Sequence, residues 1–153
     1  MISDLRFLIT VTLVAVLAAC GGSSTFESVE LSASRIAAFW PTTDLQETYV
    51  IRSDSEWQAA WQKHEPQTYP KTERPQVDFS KNMVVGLSQG TGPNGCHGLS
   101  IRRVVEDEEE IRVEYIHATG QPGLACTQAT VALTDFVVVS KSEKRATFIR
   151  VGA

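Results

Sequence analysis

Short runs of alternating apolar and polar residues recur along this chain and predict β-strands. In residues 111–115, isoleucine, valine and tyrosine alternate with arginine and glutamate, a period of two that buries one face of a strand and leaves the other in water. The alternation in a neighbouring run slips near Arg103, which indicates a β-bulge. Further strand-length runs lie at residues 26–31, 36–40, 49–51, 83–87, 101–105, 136–139 and 146–151.

Residues 83–87 form a continuous apolar run, which is typical of a strand that is covered on both faces. Two charged stretches separate predicted strands farther along the chain. The acidic cluster at residues 106–110 predicts a solvated hairpin turn, and residues 141–145 predict a turn that joins a closing pair of valine-rich strands.

The strongest helix signal begins after Ser53. Ser53 is a good N-cap, and Glu56 three residues later completes a capping box. The residues at helical spacing form one apolar face, which consists of Trp57, Ala60, Trp61 and His64. The dipeptide at residues 65–66, glutamate followed by proline, ends the helix, and the proline-containing residues 67–76 predict a loop. We expect both tryptophans to be buried against a sheet.

The predicted elements are one helix and six to eight strands, most of them connected as hairpins. This set predicts an α+β fold, a mainly antiparallel β-sheet domain with one amphipathic helix packed on it.

An apolar run at residues 7–19 ends in Leu17-Ala18-Ala19-Cys20 and is followed by a Gly/Ser segment, an arrangement that resembles a bacterial lipoprotein signal. The resemblance implies that residues 1–19 are a signal peptide and that Cys20 becomes the acylated first residue, carrying chains such as palmitate. Residues 20–25 are then a flexible tether, and residues 26–153 are a single domain. A membrane-spanning helix is disfavoured because the run has 13 residues and a span takes about 20. A secreted or inner-membrane signal is the alternative.

The chain has three cysteines, an odd number for an exported protein. If Cys20 is lipidated, Cys96 and Cys126 remain. In an oxidising compartment the simplest outcome is a disulfide between them, which would stabilise the fold by about 3 kcal/mol in the loop-entropy model. Two free thiols are the alternative.

Composition limits the function further. Removal of residues 1–19 leaves 134 of the 153 residues, enough for one domain with a core. The segment removed contains one acid and one base, so the net charge stays at −4. That mild acidity argues against nucleic-acid binding, which requires a basic surface, and against electrostatic adhesion to anionic lipids.

The order of several segments resembles a known family. Residues 51–64 carry the Glu56-Trp57 helix, and residues 77–86 begin with Val-Asp-Phe-Ser. A glycine-rich loop, a strand that ends near Val105 and valine-rich closing strands follow. This order resembles the PrcB C-terminal domain family of bacterial lipoproteins, named for a subunit of a spirochaete surface protease complex, and it spans about residues 49–151. The resemblance implies an accessory, non-catalytic lipoprotein that associates with or stabilises a protease.

The chain departs from that family at Gly95-Cys96-His97-Gly98, where the family usually has two glycines followed by an aromatic residue. The later Pro-Gly loop here carries Cys126. We interpret the two changes as compensatory, with a disulfide in the place of aromatic packing.

A glycine-rich loop at residues 89–95 is a candidate for partner docking rather than for phosphate binding, because it lacks the Gly-Lys-Ser/Thr ending of a P-loop. We expect a long hairpin loop in which glycines supply positive φ angles and which a clamp at Cys96 makes rigid. The candidate docking residues are Gly90, Thr91, Gly92, Pro93, Asn94, Gly95 and His97.

Catalytic and metal motifs are weak in this sequence. A nucleophile elbow, closely spaced zinc ligands and EF-hand spacing are absent, so we expect the acidic cluster to be solvated and predict neither a metal nor a cofactor. The leading hypothesis is a non-catalytic, protein-binding lipoprotein of the bacterial envelope, on the outer-membrane or periplasmic side. The alternatives are a thiol- or metal-dependent enzyme that uses Cys96 with His97, His117 or His64, and a lipoprotein that binds a small ligand.

Overall fold

Eight strands and one helix make up the regular structure of the described residues, which are 27–36, 45–64, 72–120, 123 and 125–152 of a computed structural model. The α+β, mainly antiparallel fold class is confirmed. The predicted signal peptide, Cys20 and the predicted tether lie outside the described residues. The elements in chain order are β1 (Val29–Leu31), β2 (Ser34–Arg35), β3 (Glu47–Ile51), α1 (Asp54–His64), β4 (Asn82–Gly92), β5 (Gly98–Glu106), β6 (Glu110–Ala118), β7 (Val131–Ser140) and β8 (Arg145–Arg150).

The strands form two sheets of four strands. The first sheet has the order β1-β5-β6-β8, and the second has the order β2-β7-β4-β3. All pairs are antiparallel except β6 and β8, which run parallel. The prediction that the last two strands form a pair is wrong, because β7 pairs with β4 and β8 pairs with β6. Residues 141–144 therefore cross from one sheet to the other.

The main core lies between the two sheets. Met83, Val85 and Leu87 point into it from β4, and Ile111 and Val113 point into it from β6. Val84, on the opposite face of β4, is also fully buried because it lies under the helix. The prediction of a strand covered on both faces is thus confirmed for residues 83–87.

The helix forms a third layer on the outer face of the second sheet. Its capping box is confirmed: Ser53 Oγ accepts a hydrogen bond from the Glu56 N–H at 3.3 Å, and Glu56 Oε2 accepts one from the Ser53 N–H at 3.1 Å. The four residues of the predicted apolar face are buried, and Trp57 is fully enclosed. Phe136 of β7 reaches this layer by lying over Gly86, where any side chain would collide with its ring.

The local predictions for the first sheet are confirmed as well. The register of β5 and β6 shifts between Ile101 and Arg103, which is the expected bulge. The acidic cluster turns between these strands, and Asp107 Oδ1 accepts hydrogen bonds from the Glu109 and Glu110 N–H groups at 3.0 Å each. β1 covers residues 29–31 of the run predicted at 26–31. Ile36 is a buried residue that follows β2, and the rest of the strand predicted at residues 36–40 lies outside the described residues.

The fold has two distinct ends. The turn end consists of residues 52–53, 78–81, 107–109 and 141–144, whose turns contact one another. The loop end consists of residues 93–97, 119–120, 123 and 125–130, at the opposite ends of β4, β5, β6 and β7. None of the described helical residues forms a stretch of the length and hydropathy needed to cross a membrane.

Candidate functional site

A disulfide closes the loop end. Cys96 and Cys126, 30 residues apart, are bonded with their Cα atoms 5.4 Å apart, which confirms the predicted pair. Cys96 lies in the connection from β4 to β5, and Cys126 lies in the connection from β6 to β7. Each connection passes from one sheet to the other, so the bond joins the two crossovers at this end of the sandwich.

Hydrogen bonds support the bond on both sides. The Gly95 N–H donates to the Thr127 carbonyl at 2.9 Å, which links the two connections directly. Asn94 Oδ1 accepts from the Cys96 N–H at 3.1 Å and lies 2.9 Å from His97 Nδ1. Since that oxygen only accepts, His97 carries a proton on Nδ1 in this arrangement. Residues 94–97 therefore form a defined turn rather than a freely varying loop.

Two glycines permit the close approach of the connections. A Cβ atom at Gly95 would overlap Thr127 Oγ1. A Cβ atom at Gly120 would lie 3.3 Å from Cys96 Cβ and 3.9 Å from Cys126 Sγ. The loop end is consequently packed tightly around its sulfur atoms, and Gly95 accepts no larger residue without a shift of Thr127.

The predicted docking loop is shorter than expected. Gly90, Thr91 and Gly92 belong to β4, where residues 91 and 92 pair with Ala132 and Val131 of β7. The hairpin interpretation is wrong, because β4 and β5 lie in different sheets. The expected positive φ angle is present at Gly90, which has φ of 79° where the β4–β7 register is irregular. Pro93, Asn94, Gly95 and His97 remain in the connection.

Among the described histidines, two belong to the loop end and its neighbourhood. His117 is part-buried near the end of β6, and burial lowers the pKa of its imidazole, with the positive charges of Arg150 and His97 adding to the effect. Its Nε2 lacks a hydrogen-bond partner within the described residues. His64 lies elsewhere, at the end of α1, fully buried on the inner face of the helix with its ring centroid 6.0 Å from that of Phe136. The structure therefore does not bring His64 to the disulfide.

The thiol chemistry considered for Cys96 needs a free sulfur. In the disulfide that sulfur has no thiolate form, so it acts neither as a nucleophile nor as a metal ligand. Over the residues that the structure describes, no group of three or more histidines, cysteines or acids is arranged to hold a metal ion.

A polar cluster that the sequence did not predict joins β3 to the end of α1. Tyr49 Oη lies 2.8 Å from Glu47 Oε2 and 2.6 Å from His64 Nε2, and Lys63 Nζ lies 2.5 Å from Glu47 Oε1. Burial, followed by the hydrogen bond to Glu47, raises the pKa of Tyr49 to about 12. The Lys63 hydrogen bond lowers the pKa of Glu47, and the same contact raises the pKa of Lys63.

The hydrogen-bond geometry assigns the donors of the cluster. Glu47, whose pKa is lowered, accepts from the Tyr49 hydroxyl, so His64 Nε2–H donates to the tyrosine oxygen. The cluster fastens the end of α1 to β3. Its helix-to-strand hydrogen bonds join residues that lie 14 to 16 positions apart in sequence, and only the packing of α1 on β3 brings them together.

A groove of about 400 Å³ lies beside this cluster, between α1 and β3, the edge strand of the second sheet. A deep pocket with aromatic walls would support the alternative that the protein binds a small ligand. Tyr49 is the one aromatic side chain among the described lining residues, which are Thr48, Tyr49, Val50, Ile51, Glu56, Ala59, Ala60 and Lys63.

A buried carboxylate is the second feature that the sequence did not predict. Asp135 of β7 is 5 % exposed, pairs with Arg35 and accepts a hydrogen bond from the Ile101 N–H at 2.6 Å. Arg35 also donates to the Ile101 carbonyl at 3.0 Å. Burial raises the pKa of Asp135. The pair links the second sheet to the bulged strand of the first, so the buried carboxylate of Asp135 has a structural role.

Comparison with the models of known protein families, with curated proteins and with solved structures finds no match to this chain. The resemblance to the PrcB C-terminal domain family therefore stays a prediction from sequence.

Proposed function

We propose that this protein is a lipid-anchored lipoprotein of the bacterial envelope that binds another envelope protein through its loop end and has no catalytic activity of its own. As the resemblance to the PrcB C-terminal domain family implies, the partner we favour is a protease that this protein accompanies or stabilises. The anchor is the acylated Cys20, and residues 1–19 are removed.

The observation that carries the proposal is the Cys96–Cys126 bond between two connections that cross from sheet to sheet. Such a bond restricts the motion of both connections before a partner arrives, and a surface that is already ordered loses less entropy on binding. It also occupies the Cys96 sulfur atom that the enzymatic alternative would use. A rigid, chemically unreactive surface suits recognition better than covalent chemistry.

Site-specific photo-crosslinking in intact cells tests this proposal. A photoreactive amino acid at Pro93 or Ala129 samples exposed positions of the loop end, and the same residue at Glu108 samples the turn end as a matched control. We expect one discrete adduct from positions 93 and 129 that is absent from position 108. The adduct should weaken when Cys96 and Cys126 are both replaced by serine, since the connections then become mobile.

Two results would contradict the proposal. One is the same adduct pattern from all three positions, which would indicate random contact. The other is no adduct from positions 93 and 129 although the variants are exported and folded, as shown by protease resistance of the domain.

A further inference from the structure

We propose that the turn end of the domain faces the bilayer and that the loop end, with its disulfide, is held away from the membrane. This inference rests on the proposed acylation of Cys20. It adds to that proposal the direction in which the loop end is presented and the kind of surface, a phospholipid headgroup layer, that the turn end approaches.

The path of the chain gives the direction. β1 begins at Val29, which pairs with Glu106, and its other end at Leu31 pairs with Val104. β5 itself begins at Gly98, two residues after Cys96, and ends at Glu106. A chain that arrives from the N-terminal side therefore joins the domain beside the turn at residues 107–109, at the opposite end of β5 from the disulfide.

The length of chain before β1 limits how the domain can lie. Nine residues lead from Cys20 to Val29, and even fully extended they span at most about 30 Å. A flexible chain of nine residues has a root-mean-square length of about 17 Å. The nine residues of β5 extend over about 27 Å, so the distance along the domain exceeds the usual length of the tether. The loop end reaches the headgroups only if the domain folds back along a nearly stretched tether.

The ion pairs in and next to the turn end fit a polar headgroup layer rather than the apolar interior of a bilayer. Glu106 pairs with Lys144 at 3.2 Å, Asp107 with Arg112 at 2.8 Å, and Glu110 with Arg145 at 3.4 Å. Burying such pairs in hydrocarbon would cost their hydration, whereas water and headgroups solvate them. The turn end is thus expected to lie at the headgroups without insertion.

Fluorescence quenching on vesicles tests this orientation. The native acylated protein is placed in phosphatidylcholine vesicles that carry a nitroxide on the headgroup. A single reporter thiol is introduced as Glu108→Cys or Ala129→Cys and is labelled with a thiol-reactive fluorophore. Without reductant the reporter thiol is the one that reacts, because Cys96 and Cys126 are bonded to each other. We expect several-fold stronger quenching at position 108 than at position 129. Equal quenching, or stronger quenching at position 129, would overturn the orientation.

A lengthened tether is the second variant. Insertion of 20 Gly/Ser residues after Thr25 raises the root-mean-square tether length to about 30 Å, comparable to the domain, so the difference between the two positions should shrink markedly. An undiminished difference would contradict the role given to the tether. Mass spectrometry of the same vesicles distinguishes failure of the orientation from failure of the proposed anchor. Acylated Cys20 with equal quenching overturns only the orientation. An absent acyl group overturns the anchor and the orientation together.

Discussion

The two ends of this domain are held together by different means. At the loop end, two connections between sheets are joined by a covalent bond, a backbone hydrogen bond between residues 95 and 127, and close packing at glycines. At the turn end, several short turns are joined by ion pairs and by hydrogen bonds from Lys144 and Ser142. Short turns need little support, whereas a long crossover such as residues 119–130 has a large conformational entropy to lose. Covalent restraint therefore occurs at the end that contains this long crossover, which gains most from it.

The largest effect is expected from removing that restraint. Replacing both Cys96 and Cys126 by serine should lower the free energy of unfolding by about 3–4 kcal/mol, the loop-entropy range for a bridge across 30 residues. Urea denaturation of the purified domain measures it. A loss of under about 1 kcal/mol would mean that the noncovalent contacts hold the loop end without the bond.

A smaller loss is expected from crowding at the same end. Gly95→Ala places a methyl group on Thr127 Oγ1 and should cost about 1–3 kcal/mol. Gly98→Ala is the matched control, because a Cβ atom there has nothing within 4 Å, and its effect should stay within about 0.5 kcal/mol. Equal effects from the two substitutions would show that the residues around Thr127 shift to make room at little cost in stability.

The turn end should respond more weakly. Lys144→Met removes the ion pair with Glu106 and should cost about 0.5–1 kcal/mol, the usual range for a partly exposed pair. The loss should shrink in 1 M salt, which screens charges beyond about 3 Å, while the effect of the cysteine substitutions should not change. Lys81→Met serves as the control, since Lys81 lies 4.0 Å from Asp78 and is largely exposed. A loss at position 144 that is insensitive to salt would contradict the electrostatic account.

The smallest expected difference between the two ends is the acceleration of their hydrogen exchange in acid. Hydrogen bonds from the Glu110 and Glu109 N–H groups lower the pKa of Asp107 below its ordinary value. A carboxyl whose pKa is lower in the folded state stabilises that state above its unfolded pKa of about 3.9, and this contribution is lost as the pH falls through the folded value. Hydrogen exchange at Glu109 and Glu110, corrected for intrinsic rates, should therefore accelerate in acid more than exchange at Gly95. The opposite ranking of these sites would refute the assignment.

Local signals in the sequence predicted much of this arrangement. The apolar run at residues 83–87, the buried face that includes Trp57 and the bulge near Arg103 each depend on neighbours within one element, and all are confirmed. The Cys96–Cys126 pair was predicted because two cysteines remained after Cys20 was assigned to the lipid anchor, and it is confirmed too.

Features that depend on the choice of strand partner were not predictable in the same way. Valine-rich runs around a charged turn fit a hairpin, yet β7 and β8 find partners in different sheets. Gly90, Thr91 and Gly92 have a loop-like composition, yet β7 is long enough to pair with their end of β4. The Glu47, Tyr49, Lys63 and His64 cluster arises only where the helix crosses the edge strand.

Mass spectrometry of the protein purified from its native membranes is the decisive measurement, because it reports the state of all three sulfur atoms in one sample. We expect a chain that starts at residue 20 and carries acyl groups there, with the peptides that contain Cys96 and Cys126 joined until a reductant is added. An unmodified residue 20, together with two other cysteines that react with a thiol reagent before reduction, would contradict both the anchor and the clamped binding surface.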